Sequence, residues 1–363
     1  MKKLRVGIIG CGGISNQKHM PALKLIDEIE MVAFCDIIEE KAQKAAKEFG
    51  TEDAKFYTDY KELIADKTID VVHVLTPNKE HSFITVDSLH AGKHVMCEKP
   101  MAKTYKEAKE MVDAAKQTGK ILTIGYQYRC NPAALYAKDM VEAGELGGIY
   151  FAKAHAVRRR AVPTWGVFLN EDEQGGGPLI DIGTHALDMT LWEMENYKPK
   201  MVVGTVYKKL GDQTKTANAW GDWNPKEFTV EDSAFGFITM ENGATIILES
   251  SWALNTLDVG EGMTTLCGTK GGIDMSEGGT KLRYNTVKHN KQVTETPELG
   301  AGGVAFFDGK EMASSDIECR NFYDAILKGT ELRVKPEQAV VVTRILEAIY
   351  ESAKTGKPVY IND

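Results

Sequence analysis

Leu4-Arg5-Val6-Gly7-Ile8-Ile9-Gly10-Cys11-Gly12-Gly13-Ile14-Ser15 decides the fold. Leu4 to Ile9 is the short apolar run of a buried strand. The glycine loop follows at once, and a helical pattern then continues to about Ile26. Met31 to Cys35 is a second apolar strand, closed by Asp36. Strand, glycine loop, helix, strand and acid in that order form the Gly-x-Gly-x-x-Gly unit that holds a dinucleotide. Gly10 permits the tight turn, and Gly12 lets backbone approach the pyrophosphate. Gly13 and Ile14 open a helix whose amino terminus offers N–H groups to the anion. Ser15 stands in place of the third glycine, and its small side chain preserves close helix–strand packing. The alternative is a strand–helix turn with no ligand. Asp36 chooses between cofactors: a carboxylate there accepts from a ribose 2′-OH and repels a 2′-phosphate. Ile37, Ile38 and Glu39 offer no cation for such a phosphate, so NAD is expected over NADP.

The alternation continues outward from this unit. Ile38 to Phe49 reads as a helix, Phe56-Tyr57 as a short strand and Tyr60 to Ala65 as a short helix. Val71 to Leu75 is a buried strand that runs into Thr76-Pro77-Asn78-Lys79-Glu80-His81. That turn lies at a strand's carboxyl end, so Thr76, Asn78 and His81 are expected on the nicotinamide side. A plain helix-start role for His81 stays equally open. A helix from Phe83 to His90 precedes the strand His94-Val95-Met96-Cys97, which ends in Glu98-Lys99-Pro100. Lys99 thus sits at the edge where open α/β sheets place ligands. Pro100 stiffens its backbone, and Glu98 can pair with it or orient it. A surface Glu–Lys pair is the ordinary alternative. Thr104 to Thr118 is a helix with Thr104 as cap and Glu107 three residues on. Ile121 to Ile124 is the last strand. Residues 1–124 therefore read as a doubly wound parallel sheet.

Residues 125–363 read differently. Gly125-Tyr126-Gln127-Tyr128-Arg129 leads into a helix ending near Ala143. From Gly148 the runs Ile149–Val157, Met201–Lys208, Ser233–Met240 and Ala244–Trp252 have the two-residue period of a sheet with one covered face. Glu241-Asn242-Gly243 is a hairpin turn, and Ile317–Lys328 and Pro336–Ala353 are helices. This is an α+β domain with an open, mostly antiparallel sheet. Gly175-Gly176-Gly177-Pro178 marks a loop built for close approach, and a helix starts near Asp181. Asp181 and His185 are four apart, so they share a helix face about 6 Å apart along the axis. Carboxylate beside imidazole is an acid–base unit. A helix cap at Asp181, a packed core histidine, or a metal pair lacking a third ligand are the competing readings. Arg158, which ends a strand, and Trp165, after a proline turn, suit a polyol or anionic sugar. A solvated basic strand end is the plainer reading.

Composition bounds the rest. The 363 residues allow two domains; 43% hydrophobic and 26% charged content are those of a soluble globular protein. A net charge of −8 and a pI near 5.6 argue against nucleic acid or anionic membrane as partner. No apolar run approaches the roughly 20 residues of a membrane span. The basic start is interrupted by glycines too early for a signal peptide. Six cysteines without a Cys-x-x-Cys suggest free thiols in a reducing cytoplasm. No Cys/His cluster indicates a structural metal.

These motifs, in this order and spacing, make the chain resemble the glucose–fructose oxidoreductase / inositol 2-dehydrogenase / rhizopine-catabolism (Gfo/Idh/MocA) family along nearly its whole length. They are the amino-terminal glycine loop, Thr76-Pro77-Asn78 with His81, Glu98-Lys99-Pro100, and Asp181 with His185. The resemblance implies that Lys99 is the catalytic lysine and that Asp181 and His185 are the acid–base pair. Glu98 and Gln127 are expected at the cofactor, and Arg129, Arg158 and Trp165 at the substrate. The resemblance also implies a homodimer or homotetramer formed through the carboxyl-terminal sheet. The expected reaction is reversible hydride transfer between NAD and a secondary alcohol of a sugar, glycoside or cyclitol. A redox-neutral glycosidase or sugar–sugar oxidoreductase that recycles its NAD is the second reading, and an NAD-sensing regulator without chemistry is the third.

Overall fold

A computed structural model describes residues 3–299 and 313–361. The chain forms two compact units, Met1–Gln127 with Met312–Val340, and Tyr128–Glu311 with Val341–Asp363.

The first unit is a parallel sheet of β1 (Leu4–Ile9), β2 (Ile29–Cys35), β3 (Lys55–Tyr57), β4 (Val71–Val74), β5 (His94–Cys97) and β6 (Leu122–Ile124). The strand order is β3-β2-β1-β4-β5-β6. Every pair is parallel. Helices cover a parallel sheet on both faces, which is why β4 is buried at every position. The order reverses between β1 and β4, and the carboxyl ends of those strands flank the crevice that such a reversal creates. Gly10 leaves β1 there with φ +94°, and a Cβ on it would lie 2.5 Å from the Leu75 carbonyl oxygen. Only glycine fits that turn. The helix after the loop is a π-turn over Ser15–His19 followed by Met20–Leu23. The expected cap on the Tyr105–Thr118 helix is present as a reciprocal box between Thr104 and Glu107. The Ser314–Lys328 helix packs on the Ser15–Leu23 segment. It adds Cys319, Phe322 and Tyr323 to the core that holds Val6, Ile8 and Phe34.

The second unit has β7 (Ile149–Val157), β8 (Pro199–Tyr207), β9 (Ser233–Met240), β10 (Thr245–Ser251), β11 (Gly260–Gly268), β12 (Gly271–Ser276), β13 (Lys281–Lys288), β14 (Lys291–Glu295) and β15 (Val359–Tyr360). They form one sheet in the order β14-β13-β12-β11-β7-β10-β9-β8-β15. All neighbours are antiparallel except β7 and β10. Strands β11 to β15 extend the sheet beyond the four strands expected from sequence. The covered face carries Val202, Ala234, Ile238, Ile246 and Leu248, all with no exposed surface. The Thr184–Met194 helix packs against β7 and β11 on this unit. Ile349 presses on Gly204 and Gly236, where a Cβ would come within 2.7 Å and 2.6 Å of it.

Candidate active site

On the first unit, the glycine loop is pinned from below and open above. Asn16 Nδ2 donates to the carbonyls of Cys11 (2.9 Å) and Gly12 (2.7 Å). A Cβ on Gly12 or Gly13 would meet no atom within 4 Å, so backbone is bare on that side, and Ile14 is 44% exposed beside it. Asp36, at the end of β2, accepts from Cys11 N through Oδ2 and from Ile38 N through Oδ1, both at 2.9 Å. Each carboxylate oxygen keeps acceptor capacity for a second donor. Near β4, the Thr76 hydroxyl is buried without a hydrogen-bond partner. Open glycine backbone, a pre-aimed carboxylate and an orphaned hydroxyl fit a dinucleotide across the carboxyl ends of β1, β2 and β4.

Two residues expected on the cofactor are turned inward instead. His81 is 1% exposed, and its ring nitrogens lie 2.8 Å from the Pro100 carbonyl and 2.9 Å from the Thr76 carbonyl. Burial holds its pKa down, against the two carbonyl acceptors, which favour the charged ring. It braces two loops through their main-chain carbonyls. Glu98 is 5% exposed. Its Oε1 accepts from Lys18 Nζ (2.7 Å) and His19 Nε2 (2.8 Å), and its Oε2 accepts from the backbone N–H of Lys99 (2.9 Å). Burial pushes this carboxyl up, but Lys18 and His19 outweigh it and hold Glu98 well below the usual carboxylate range. Glu98 therefore grips the main chain of Lys99. Lys99 follows β5 in a half-buried position, joined to Pro100 by a cis peptide bond. Asn78, in the short Asn78–Glu80 turn, and Gln127, which opens the Gln127–Cys130 turn, are half-buried.

On the second unit, Asp181 lies in a π-turn over Leu179–Gly183 that runs directly into the Thr184–Met194 helix bearing His185. Asp181 Oδ2 accepts from Trp252 Nε1 at 3.0 Å, and Arg158 Nη1 is 4.0 Å away. His185 is 8% exposed and stacks on Tyr128, with centroids 4.5 Å apart and planes at 25°. The helix start is held by Glu231, which accepts from Gly177 N (2.8 Å), Leu179 N (3.1 Å) and Tyr350 Oη (2.9 Å). The glycines are required here, since a Cβ on Gly177 would lie 2.2 Å from the Glu231 carbonyl oxygen.

The expected substrate residues fare unequally. Arg129 has no exposed surface: its guanidinium makes a bidentate pair with Asp188 at 2.8 Å and 2.6 Å. That pairing makes it a structural residue and takes it out of the substrate set. Arg158 is paired to Glu261 at 2.7 Å and 2.8 Å, and it stacks over Trp220, 5.1 Å from the ring, not over Trp165. Trp165 is 51% exposed and meets Trp220 edge-on at 4.9 Å. Tyr128, Trp252, Glu261 and Trp220 were not foreseen. Each joins the set by contact with a residue far away in sequence, and no local motif marks it. Among the described residues, no group of three or more His, Cys, Asp or Glu side chains is placed to hold a metal, and no helix is long and apolar enough to cross a membrane.

Comparison with known proteins places these features in a family. Residues 4–126 match the model described as an oxidoreductase family, NAD-binding Rossmann fold, and residues 138–361 match its C-terminal alpha/beta domain. The chain is 34% identical over 356 residues to D-glucoside 3-dehydrogenase of Escherichia coli K12, spanning 97% of this chain and 96% of that protein. It is 34% identical over 197 residues to inositol 2-dehydrogenase of Salmonella typhimurium, 54% of this chain and 56% of that one. Levoglucosan dehydrogenase solved with NADH and L-sorbose superposes with TM-score 0.84 at 25% identity, covering 100% of each chain. An oxidoreductase domain protein from Kribbella flavida superposes with TM-score 0.86 at 22% identity, again over 100% of each. The chain belongs to the Gfo/Idh/MocA family of NAD-binding oxidoreductases.

Proposed function

We propose that this enzyme oxidises a ring secondary alcohol of a sugar, glycoside or cyclitol, reversibly, using NAD. The observation that carries the reading is Lys99, held by its main chain at the carboxyl end of β5 on the same sheet edge as the open glycine loop. Bound NAD supplies the hydride acceptor. Lys99, as an ammonium, donates to the reacting oxygen and favours the developing alkoxide. His185 takes the hydroxyl proton, and Asp181 steadies the imidazolium that results. Arg158 with Glu261 and Trp220, and Trp165 beside them, give a polar and aromatic surface of the kind that packs on a pyranose. The similarity along nearly the whole length to a glucoside dehydrogenase makes glucosides the first substrates to try. The six cysteines are all unpaired, which suits a reducing cytoplasm.

A homo-oligomer through the carboxyl-terminal sheet is part of this reading. The side of that sheet opposite its covered face carries Val203, Phe237 and Ile247 in register across β8, β9 and β10, and Phe237 is 42% exposed. Phe237→Glu should lower the solution mass to that of a monomer; an unchanged mass removes the sheet from the assembly.

The activity test is absorbance at 340 nm with NAD and a panel of glucosides, inositols and sugar acids, followed by product identification. Accumulating NADH with an oxidised sugar supports the reading. Product formed without NADH accumulation points to a recycling enzyme, and tight NAD binding with no turnover across the panel points to a sensor.

A further inference from the structure

The residues around Glu98 form a brace that the chemistry described so far does not use. Lys18 Nζ lies between two buried carboxylates, 2.7 Å from Glu98 Oε1 and 3.1 Å from Glu318 Oε2. The side chains of Lys18, Glu98 and Glu318 are 9%, 6% and 5% exposed. His19 Nε2 donates to the same Glu98 oxygen as Lys18. Gly125 closes the remaining side: a Cβ on it would lie 3.1 Å from Glu98 Cδ and 3.2 Å from each oxygen. The carboxylate so fixed has one remaining oxygen, and that oxygen holds the Lys99 N–H at 2.9 Å. On the other side of Lys99, the Pro100 carbonyl is 2.8 Å from His81 Nδ1. Lys99 is therefore gripped before and after its own Cα by buried groups. The Ser314–Lys328 helix supplies the outermost member, Glu318.

We propose that Lys18 is a positioning residue for Lys99, acting through Glu98, and that Glu318 is a weaker member of the same brace. This rests on the reading of Lys99 as the group that polarises the reacting oxygen. Buried ion pairs of this kind rarely add net stability over apolar residues of similar volume. Holding a reacting group within about 0.5 Å of its working place is a use that such groups do serve. Removing Lys18 leaves Glu98 a buried anion with His19 as its remaining side-chain donor. The carboxylate then moves or takes a proton, and the Lys99 main chain moves with it. Geometry lost at Lys99 reduces kcat, whereas the glycine loop and Asp36 remain in place, so NAD affinity does not change.

The experiment is a double-mutant cycle on kcat with the best glycoside substrate, alongside NAD affinity measured by calorimetry. Lys18→Met should lower kcat about 10- to 100-fold with NAD Kd unchanged within about twofold, and Lys18→Arg should restore part of it. In a Lys99→Ala background the same change should have no further effect on the residual rate. Effects that multiply in full overturn the proposal, because a merely structural loss acts whether or not Lys99 is present. If Lys18→Met does not fold, Glu318→Gln carries the same cycle, with a two- to tenfold loss expected in the native background and none beside Lys99→Ala. Lys99→Ala with near-normal turnover would instead remove the functional reading itself, which keeps the two failures separate.

Discussion

Asp36→Ala should convert an NAD-selective enzyme into one that barely distinguishes NAD from NADP. The carboxylate is half-buried at the end of β2 and fixed by two backbone donors, so it cannot swing away from a ligand at the adenosine ribose. Unit charges about 4 Å apart at an effective dielectric near 20 interact by about 4 kcal/mol. Partial exposure and salt reduce this, and about 2 kcal/mol is a working value for the repulsion of a 2′-phosphate. Hydrogen bonds from the ribose hydroxyl to a charged acceptor contribute about 1.5 kcal/mol more in favour of NAD. The sum, about 3.5 kcal/mol, is a preference of several hundredfold at about 1.4 kcal/mol per decade. Both contributions vanish with the side chain. Asn is a poorer probe, since its Nδ2 would face one of the two N–H groups that Asp36 now accepts from. The assay is kcat/KM for each cofactor at saturating sugar, repeated at high salt. For the native enzyme the preference should shrink as ionic strength rises. For Asp36→Ala the NAD value should fall more than tenfold, and the ratio should collapse to less than about tenfold. A native enzyme that uses NADP as well as NAD, or a variant with an unchanged ratio, refutes the reasoning.

Three other outcomes are expected. His185→Gln keeps the size of the side chain but not the base, and should cost 100-fold or more in kcat by the usual worth of a general base, with NAD affinity retained; turnover within tenfold of native would remove His185 from proton transfer. Arg129→Met leaves Asp188 buried without its bidentate partner, and should destabilise the fold by about 3–5 kcal/mol in chemical denaturation; a loss under 1 kcal/mol would mean that Asp188 is paired elsewhere. Glu249 accepts from His155 (2.7 Å) and faces Lys153 (2.8 Å), which hold its pKa down at about 2. A depressed carboxylate stabilises the fold above its unfolded pKa and loses that contribution as pH falls through its folded value. After allowance for exposure, Glu249→Gln should cost about 1 kcal/mol at pH 7, and the gap should close between pH 4.5 and about 2; a gap independent of pH would refute the charge origin.

What was legible in the sequence was what neighbours in sequence create. The glycine loop, β1 to β6 and the Thr104–Glu107 cap follow from local period and local hydrogen bonding, and all are present. Lys99 and the Asp181–His185 pair stand out as candidates in the sequence because residues of those types carry chemistry in any setting. The direction of a side chain at a strand end was not legible. Glu98 and His81 have the composition of cofactor ligands, yet both point inward, His81 to the main chain of Thr76 and Pro100, and Glu98 to side chains far off in sequence. Lys18 is 80 residues from Glu98. Arg129 and Asp188 are 59 apart, and Arg158 and Glu261 are 103 apart. Spacing at that range carries no period to read. Nor does the amphipathic pattern of Ser314–Lys328 say which unit it packs against, since a covered helix face looks the same on either.

The two segments that bear the candidate catalytic groups share a construction. Glu98 holds the Lys99 N–H from below, and Glu231 holds the N–H groups of Gly177 and Leu179 just before Asp181. Both carboxylates are almost wholly buried, and burial pushes up the pKa of each. Glu98 is kept ionised by a cation beside it. Glu231 has backbone donors and the Tyr350 hydroxyl, and its pKa stays raised. An apolar residue would cost less to bury at either place. It would, however, leave main-chain N–H groups in irregular backbone without acceptors, and those loops would shift to reach water. A carboxylate offers about four acceptor positions from one side chain. It can therefore fix a loop from beneath while the upper side stays open for a ligand. Each loop is also closed by glycine packed on the acid: Gly125 on Glu98, and Gly177 on the Glu231 main chain. Gly177→Ala, which changes no charged or reacting group, should on this argument disturb the helix start that carries Asp181 and His185. The expected result is a fall in kcat without a fall in NAD affinity, because the dinucleotide loop belongs to the other unit.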